Sequence, residues 1–261
     1  MNWDSKQFHW NLKTRRFGRD FRYLEEVDST NRWLSENLIN CTLPGSLVVA
    51  GHQLSGRGRH ARSWLDHVGH SLLFSLLLHS KRKIERPGFL TLLPAISLAR
   101  VLASHDSSAQ ISLKWPNDVQ AGGKKIAGIL AEAHQHDGYV SFVVGVGVNV
   151  SQSRNDFTES GLHDASSIHA ETSWRPSREI VLAHILNEWE SLFDLMLDSE
   201  YDEIRREWGR FGPAKGAPIR RVEADDVVEG CFEGLGESGQ LMMLDSRGCR
   251  QEFHSGDVIL I

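Results

Sequence analysis

Residues 125–150, KIAGILAEAHQHDGYVSFVVGVGVNV, contain the pattern on which the fold prediction is built. Two apolar runs, at 125–133 and 139–150, flank the polar segment HQHDG. Apolar runs that are rich in β-branched residues and separated by a short polar turn with glycine are typical of a β-hairpin. The stretch therefore predicts two strands joined as a hairpin.

Three more strands are predicted on the N-terminal side of this hairpin. Their apolar runs lie at residues 46–54, 71–79 and 111–115. The run SLLFSLLLH is continuously apolar, which is typical of a buried strand. The run ISLKW ends before Pro116, because proline cannot donate a hydrogen bond to a sheet ladder.

Three helices are predicted from apolar residues at helical spacing. They lie at residues 28–39, at 88–104 and from 177 to about 211. Asp28 or Ser29 supplies the N-cap of the first helix, and Pro94 starts or interrupts the second. The third follows Pro176 and is the longest of the three, with an apolar side that includes Trp189.

The character of the chain changes at Gly212. The last 50 residues, 212–261, hold short alternating runs that are separated by glycine, aspartate and serine. This spacing is typical of a small all-β barrel. We therefore predict two domains, residues 1–211 and 212–261, since the first 22 or so residues are too few for a domain of their own.

The bulk composition narrows the class of protein. The chain has 261 residues, 40% of them hydrophobic and 24% charged, which is enough for a sizeable core. A formal net charge of -5 disfavours a duplex-binding protein. The three cysteines are far apart and form no CxxC pair, so neither a zinc ribbon nor a disulfide framework is indicated. The N-terminus has no apolar signal core and the longest apolar run, 72–78, is too short to span a bilayer, so we expect a cytoplasmic protein.

Several common catalytic motifs are absent from the sequence. There is no P-loop pattern GxxxxGK[ST], no GxSxG nucleophile elbow and, despite 13 histidines, no HExxH. A structural metal is therefore not expected. The GxG at 145–147 lacks the later glycine and the helix of a dinucleotide fingerprint, so it is a weak signal for a Rossmann fold.

The first segment that suggests chemistry is QLSGRGRHARSW at 53–64. Its glycines let the backbone approach a ligand, and its three arginines offer guanidinium groups to phosphate or carboxylate oxygens. A solvated surface loop is the alternative. The density of cations within an acidic protein favours an anionic ligand.

Three shorter segments add polar groups and glycines close to predicted strands. They are KWPND at 114–118, GGKKIAGIL at 122–130 and GVGVN at 145–149. KWPND clusters a lysine, an amide and a carboxylate at a strand end, where sheets commonly present ligand-binding groups, although a plain turn is the alternative. In GGKKIAGIL a tight turn is followed directly by a lysine at the start of a strand, which would hold its ammonium group in place. The alternative, a pair of solvent-exposed lysines, is the commoner outcome for such residues. The glycines of GVGVN indicate a close approach by backbone or ligand.

Taken in order, these segments resemble the successive motifs of the biotin–protein ligase family. The series is DSTN at 28–31, QxxGRGRxxRxW at 53–64, KWPND at 114–118, KxAGIL at 125–130 and GxGxN at 145–149. The resemblance runs from about Val27 to the C-terminus. It implies an α/β (α+β) fold: a mixed-sheet catalytic domain flanked by helices, related to class II synthetases and lipoate ligases, and a small SH3-like C-terminal β-barrel.

The resemblance also implies residue roles in a reaction that activates biotin to biotinoyl-AMP with ATP. The expected biotin-binding residues are Ser29, Thr30, Asn31, Gln53, Gly56, Arg57, Gly58, Arg59, Lys125 and Gly128. The expected ATP-binding residues are Arg59, Arg62, Lys114, Asn117 and Asn149. Lys125 and Arg59 would be the catalytic cations beside the biotin carboxylate and the α-phosphate, together with Mg²⁺, whose ligands the sequence does not identify.

The partners that the resemblance implies are biotin, ATP and the acceptor lysine of a biotin carboxyl carrier protein. A membrane partner is not expected, and a homodimer is possible. Bifunctional family members carry a helix-turn-helix domain ahead of the catalytic part, and the short stretch here predicts no operator binding.

The chain departs from the family pattern at two places. His60 and Ala61 stand where family members often have arginine and glycine, and a Cβ at residue 61 limits the backbone of the loop. LDHV at 65–68 replaces a stretch that usually contains Ser-Pro.

Two other functions compete with biotin ligation. A lipoate–protein ligase on the same scaffold would lack the GRGR loop and the glutamine at position 53. A non-catalytic biotin-binding regulator would not need the phosphate-facing cations Arg59, Arg62 and Lys125. The sequence therefore favours the ligase.

Overall fold

A seven-stranded sheet organises the larger part of the protein, in a computed structural model that describes residues 3–38, 43–79, 84–136 and 139–261. Its strands are β1 (Phe21–Val27), β2 (Leu47–Gln53), β3 (Ser71–Leu78), β4 (Ile111–Lys114), β5 (Asp118–Ala121), β6 (Lys124–His136) and β7 (Tyr139–Asn149). Their order across the sheet is β1-β2-β3-β7-β6-β5-β4. Only β1 and β2 pair in parallel among these neighbours, so the sheet is mixed, as predicted.

The predicted hairpin is confirmed as β6 and β7. Gly128 lies opposite Gly147, and Leu130 lies opposite Gly145. Because β3 pairs with the other side of β7, the hairpin lies inside the sheet. Every residue of β3 is buried, which confirms the prediction for that strand. Residues 137–138 of the predicted turn are outside the described residues.

Helices cover both faces of the sheet. They are α1 (Ser5–Asn11), α2 (Thr30–Glu36), α3 (Leu92–His105), α4 (Arg154–Glu159), α5 (Ile168–Glu171), α6 (Arg178–Leu197) and α7 (Tyr201–Gly209), with short 3₁₀ turns at Arg59–Ala61 and Pro87–Thr91. The strand β2 shows how the two faces divide. Leu47 and Val49 join the core under α3 and α6, whereas Val48 packs with Leu34 of α2 on the opposite face. This is the two-residue period of a strand.

The prediction of one helix from 177 to about 211 is wrong. α6 ends at Leu197, and Ser199 has a left-handed backbone with φ of 65° before α7 begins at Tyr201. A residue in this conformation ends a helix, because its backbone cannot continue the right-handed turn. The N-terminal boundary is correct, since the Ser177 side chain accepts a hydrogen bond from the Ile180 N–H as the N-cap.

The other two predicted helices are confirmed with shorter bounds. α2 begins after Ser29, which occupies the N-cap position but makes no side-chain capping hydrogen bond. α3 begins at Leu92, so Pro94 lies in its first turn, where a helix does not need the missing N–H. Residue 39, the end of the first predicted helix, is outside the described residues.

The segment Pro87–His105 is long and apolar enough to cross a membrane by length and composition alone. Within the protein, however, 67% of its most apolar window is buried. α3 packs against α6 and the sheet, so its apolar surface belongs to the protein core.

The C-terminal residues form a second sheet of five strands. They are β8 (Pro218–Glu223), β9 (Asp226–Leu235), β10 (Leu241–Asp245), β11 (Arg250–Phe253) and β12 (Asp257–Leu260), in the order β11-β10-β9-β8-β12. All four pairings are antiparallel. The predicted small all-β region is confirmed, but the predicted barrel is not closed: β11 and β12 are the two edges of an open ladder.

The second sheet shares the hydrophobic core of the first part. Its buried side chains belong to the same cluster as the interior of the large sheet: Ile219, Phe232, Leu241, Met243 and Val258. Trp115 Nε1 donates a hydrogen bond of 3.0 Å to the Gly239 carbonyl, and the rings of Trp208 and Phe232 lie 5.8 Å apart. The strands begin near the predicted boundary of 212, and the division into two domains stays a prediction.

Candidate active site

One cavity collects most of the residues that were predicted from the sequence. It lies where the β6–β7 hairpin, the start of α2, the loop after β2 and the start of β12 come together. The predicted residues that line it are Ser29, Thr30, Asn31, Gln53, Arg57, Gly58, Arg59, Arg62, Asn117, Lys125 and Gly128. These residues come from four separate sequence segments, which meet at one place.

One end of the cavity is lined by uncharged polar side chains. Thr30 donates from its backbone N–H and from its hydroxyl to Gln53 Oε1, at 2.7 and 3.0 Å. Ser29 and Thr30 are 4% and 3% exposed, so both sit within the wall. These contacts hold the glutamine side chain in a fixed orientation.

The glycines of the hairpin let a tryptophan lie flat on the sheet. A Cβ added to Gly147 would lie 2.5 Å from the ring of Trp64, and one added to Gly128 would lie 3.0 Å from it. Side chains at these positions would push the tryptophan out of the cavity wall. The close approach that was predicted for the GxG segment is therefore made by a side chain of the neighbouring loop.

Lys125 is held in place at the floor of the cavity. Its Nζ lies 2.6 Å from Asp118 Oδ1 and 5.7 Å from the centroid of the Trp64 ring. Gly122 and Gly123 have φ of 57° and 75°, which forms the tight turn that was predicted before this lysine. The lysine thus begins a strand with its ammonium beside a carboxylate.

Two arginines of the loop reach toward the C-terminal sheet. Arg59 Nη1 donates to Asn117 Oδ1 at 3.4 Å and to the Gly256 carbonyl at 3.5 Å. Arg62 Nη2 lies 2.8 Å from Asp257 Oδ2. A residue of the last strand therefore closes the cationic side of the cavity.

The Asp257 carboxyl stays ionised in this setting. Burial acts to raise its pKa, but the hydrogen bond and charge of Arg62, with smaller contributions from Lys114 and Arg59, hold the pKa below its ordinary value. The net direction shows that the surrounding cations outweigh the cost of desolvation.

The loop that carries these arginines folds back on itself. Gly58 N–H donates to the Arg62 carbonyl at 2.7 Å, and Arg57 pairs with Ser63 in an isolated bridge. His60, at the tip, has φ of 53°. The departure that was expected to restrict the backbone was Ala61, yet it is His60 that adopts the left-handed conformation, which a non-glycine residue rarely takes.

Three predicted residues do not line the cavity. Gly56 is buried behind it, where an added Cβ would lie 3.1 Å from Gln53 Nε2. Asn149 is 5% exposed, donates to the Ser166 carbonyl at 2.9 Å and accepts from Gln152. Lys114 is near enough to lower the pKa of Asp257 without reaching the wall. Their roles in ligand binding stay predictions.

Sequence reasoning missed the acidic partners of the cations. Asp118 stands within the KWPND segment but was not given a role, and Asp257 lies far away in the chain, in a segment with no motif. Only the contact of Arg62 with β12 reveals Asp257. Trp64 was part of the loop motif, and its place on the hairpin glycines had no signal in the sequence.

No group of three or more His, Cys, Asp or Glu side chains suited to a metal ion occurs in the described part of the chain. The two carboxylates at the cavity are Asp118 and Asp257, each beside a cation. Mg²⁺ often binds through one or two carboxylates together with the phosphates of a nucleotide. The two carboxylates, Asp118 and Asp257, therefore suit a Mg²⁺ ion that enters the cavity bound to a nucleotide.

Comparison with known proteins identifies relatives of this chain. Residues 23–149 match the model of the biotin/lipoate A/B protein ligase family. The biotin–[acetyl-CoA-carboxylase] ligase of Mycobacterium tuberculosis is 32% identical over 254 residues, which cover 93% of this chain and 90% of the relative. The enzyme of the same name from Paracoccus denitrificans is 30% identical, over 90% of this chain and 98% of its own length.

Solved structures agree with the sequence comparison. The biotin protein ligase from Aquifex aeolicus, in complex with biotin and ATP, matches with a TM-score of 0.77 and 28% identity. The match covers 93% of this chain and 99% of the Aquifex chain. The match therefore includes both the mixed sheet and the C-terminal sheet.

Proposed function

We propose the following function for the cavity, on the premise that this chain belongs to the biotin–protein ligase family. The protein is an ATP-dependent biotin ligase that activates biotin to biotinoyl-AMP and transfers biotin to a lysine of a carrier protein. One observation carries the assignment: an uncharged polar end and a cationic end lie in one cavity. Biotin has the matching halves, a cyclic urea and a carboxylate.

The polar end of the cavity suits the urea ring of biotin. Hydroxyl and amide groups of Ser29, Thr30 and Gln53 can pair with the carbonyl oxygen and the N–H groups of the ring. The remaining residues proposed to surround biotin are Asn31, Gly56, Arg57, Gly58, Arg59, Lys125 and Gly128. Of these, Asn31 lines the cavity and is 5% exposed, and Gly56 lies behind the wall, where an added Cβ would meet Gln53 Nε2.

The cationic end suits the activation step. A biotin carboxylate oxygen attacks the α-phosphorus of ATP, the bond from that phosphorus to the bridging oxygen breaks, and pyrophosphate leaves. Because an anion approaches an anion, positive charge at the reacting atoms lowers the barrier. In this proposal Lys125 and Arg59 supply that charge, and a Mg²⁺ ion, if bound, would supply more.

ATP is proposed to lie between the loop and the C-terminal sheet. Arg62 and Asn117 line this side of the cavity. Lys114 and Asn149 were also expected to contact ATP; neither lines the wall of the cavity, and both stay part of the proposal. Asp118 is the carboxylate best positioned to accompany the magnesium ion, since it lies beside Lys125.

The loop at 53–64 is proposed to protect the mixed anhydride from water. Its glycines permit closure over a ligand, and its contact with Asp257 ties it to the C-terminal sheet. In the second step, the amine of a carrier lysine attacks the anhydride carbonyl and loses a proton, and AMP leaves. The enzyme needs no nucleophile of its own.

The proposal extends to partners and location. The acceptor is a biotin carboxyl carrier protein, and the enzyme works in the cytoplasm. A homodimer is a further part of the proposal, to be tested by light scattering.

Biotin-dependent exchange of radioactive pyrophosphate into ATP tests the function. We expect exchange that biotin stimulates and lipoate does not. Stimulation by lipoate alone would favour a lipoate ligase, and no exchange with either acid would contradict the enzyme assignment. Incubation with biotin, ATP and a carrier domain should then add the mass of one biotinyl group to the carrier.

A further inference from the structure

Behind the polar end of the cavity, a chain of buried groups leads to Glu132, a carboxylate with no role in the scheme above. Asn31 Nδ2 donates to Glu132 Oε2 at 2.6 Å. Ser75 Oγ lies 2.6 Å from Asn31 Oδ1 and 2.7 Å from Thr30 Oγ1. Thr30 donates in turn to Gln53 Oε1. We call these five residues the polar relay.

The Glu132 carboxylate, together with the more distant Leu130 carbonyl, determines which way the hydrogen atoms of the polar relay point. Asn31 Nδ2 faces the Glu132 carboxylate and, at 3.3 Å, the Leu130 carbonyl, and both can only accept. Asn31 Oδ1 must therefore face Ser75 as an acceptor. Ser75 has one hydroxyl hydrogen, which goes to Asn31, so none is left for Thr30.

The Thr30 hydroxyl consequently faces the cavity as an acceptor. Its own hydrogen points to Ser75 Oγ or to Gln53 Oε1, both inside the wall. Gln53 Oε1 already accepts from the Thr30 backbone N–H, which leaves Gln53 Nε2 as the donor. A ligand that gives an N–H to Thr30 and takes a hydrogen bond from Gln53 fits this arrangement, and a cyclic urea does both.

Burial keeps the direction of the polar relay fixed. Ser75 is 0% and Asn31 5% exposed, so water cannot supply an alternative partner to either. Gly145 makes room for the relay, because any Cβ at that position would collide with the Asn31 amide. A buried donor or acceptor that is left unpaired is destabilising, so the reversed arrangement is disfavoured.

We propose that Glu132 is a specificity-determining residue for the urea ring of biotin, which acts through Asn31, Ser75 and Thr30 without touching the ligand. The proposal rests on the biotin ligase function stated above. In chemical terms, Glu132 keeps the Thr30 hydroxyl oriented as a hydrogen-bond acceptor toward the cavity. A ligand that has no N–H group facing Thr30 is therefore rejected.

The variant Glu132→Gln tests the proposal. The amide keeps the shape of the carboxylate but can also donate, so Asn31 can turn around and Thr30 can lose its role as acceptor. We expect the calorimetric affinity for biotin to fall at least about tenfold, because a polar site discriminates by its unpaired groups. kcat at saturating biotin should change by less than about threefold, since the reacting end is untouched.

The preference among related ligands distinguishes a change in the hydrogen-bonding direction of the site from a general loosening of the fold. Two carbamate analogues of biotin, each with a ring oxygen in place of one urea N–H, remove one donor at a time. The wild-type protein should prefer biotin to at least one of them, and Glu132→Gln should reduce that preference at least about tenfold. A variant that is merely loosened would bind all three ligands more weakly and keep the preference.

Three variants complete the experiment. Glu132→Asp keeps an acceptor-only group and should retain the preference. Ser75→Ala interrupts the polar relay, so adding Glu132→Gln to it should change the preference no further. Glu190→Gln is the matched control, because Glu190 is a buried carboxylate of α6 that accepts backbone N–H groups of Arg15, Arg16 and Phe17. It should lower Tm and leave the preference unchanged.

A folded Glu132→Gln protein with wild-type affinity and preference would overturn the proposal. If Glu132→Gln does not fold, Ser75→Ala decides: its preference should fall below the wild-type value, and an unchanged preference overturns the proposal. A wild-type protein that neither binds biotin nor supports exchange would instead contradict the proposed function.

Discussion

At the scale of single residues, the cations of the cavity were predictable and their partners were not. Arg59, Arg62 and Lys125 stand in recognisable segments, because glycine-rich and basic stretches carry a local signal. Asp257 pairs with Arg62 from far along the chain, and such a contact leaves no local pattern. Folding alone brings the two together.

The Lys125 ammonium gives the sharpest residue-scale prediction. We expect Lys125→Ala to lower the rate of biotinoyl-AMP formation by about 10²–10³, because one charge-assisted contact at the reacting centre contributes about 2–4 kcal/mol. Quenched-flow measurement of the first turnover tests this. Tm should hold, since the lysine is partly exposed and its loss removes little packing.

Lys124→Ala is the matched control for this prediction, because it removes the neighbouring lysine of the same turn, which does not line the cavity. Its first turnover should match the wild-type rate. Near-normal adenylation by Lys125→Ala would remove this residue from the mechanism.

At the scale of elements, periodic apolar segments were predicted well and mixed ones were missed. β3 and the β6–β7 hairpin are confirmed because the runs from which they were predicted, 71–79, 125–133 and 139–150, consist mostly of apolar or small residues. β1 reads FRYLEEV, which shows neither an apolar run nor a clean alternation. β5 reads DVQA, which does alternate, but four residues are too few for the alternation to identify a strand. The break between α6 and α7 was not predicted, because the apolar residues resume at helical spacing after Ser199.

The packing of α3 on α6 places three aromatic rings together. His105 stacks on Trp174 with ring centroids 4.0 Å apart, and His184 of α6 lies 5.2 Å from His105. Burial lowers the pKa of His184, and the nearby His105 and Lys13 lower it further. The folded protein therefore holds this imidazole neutral at a pH where the unfolded chain would protonate it.

This pKa shift predicts a pH dependence of stability. Because the unfolded chain binds the proton more tightly, the free energy of unfolding should fall as pH drops below about 6.5 and level off below the folded pKa. Urea unfolding of wild type and His184→Gln at pH 7.5 and 5.5 measures the effect, with exposed His9→Gln as control. The gap between wild type and His184→Gln should narrow at the lower pH. A gap that does not depend on pH would contradict the assignment.

At the scale of the whole molecule, the change in composition at Gly212 predicted the position of the second sheet but not its attachment. Alternating short runs indicate strands wherever they occur. They carry no information about the surface on which those strands pack. The shared core through Phe232 and the hydrogen bond from Trp115 to Gly239 became visible only in the folded chain.

The shared core predicts that residues 1–211 will not fold stably alone. Truncation after Phe211 would uncover Trp115 and Trp208, and burial of each large side chain contributes about 1.5–3 kcal/mol. We expect Tm to fall by at least about 10 °C, since 1 kcal/mol corresponds to roughly 2–4 °C in a chain of this size. Calorimetry tests this, and adenylation and transfer assays on the fragment then separate folding from function. A fragment with wild-type Tm would show an independent domain.

The pairing of Lys125 with Asp118 and of Arg62 with Asp257 also affects which anions can enter the cavity. Lys125 and Arg62 already have counter-ions from the protein, so a ligand that binds to either must displace a carboxylate, whereas Arg59 contacts only the oxygens of Asn117 and Gly256. Chloride or a single phosphate offers too little to compete, whereas a triphosphate with its magnesium ion offers several oxygens at once. We therefore expect the two carboxylates to weaken the binding of small anions such as chloride and phosphate at Lys125 and Arg62, relative to a triphosphate with its magnesium ion.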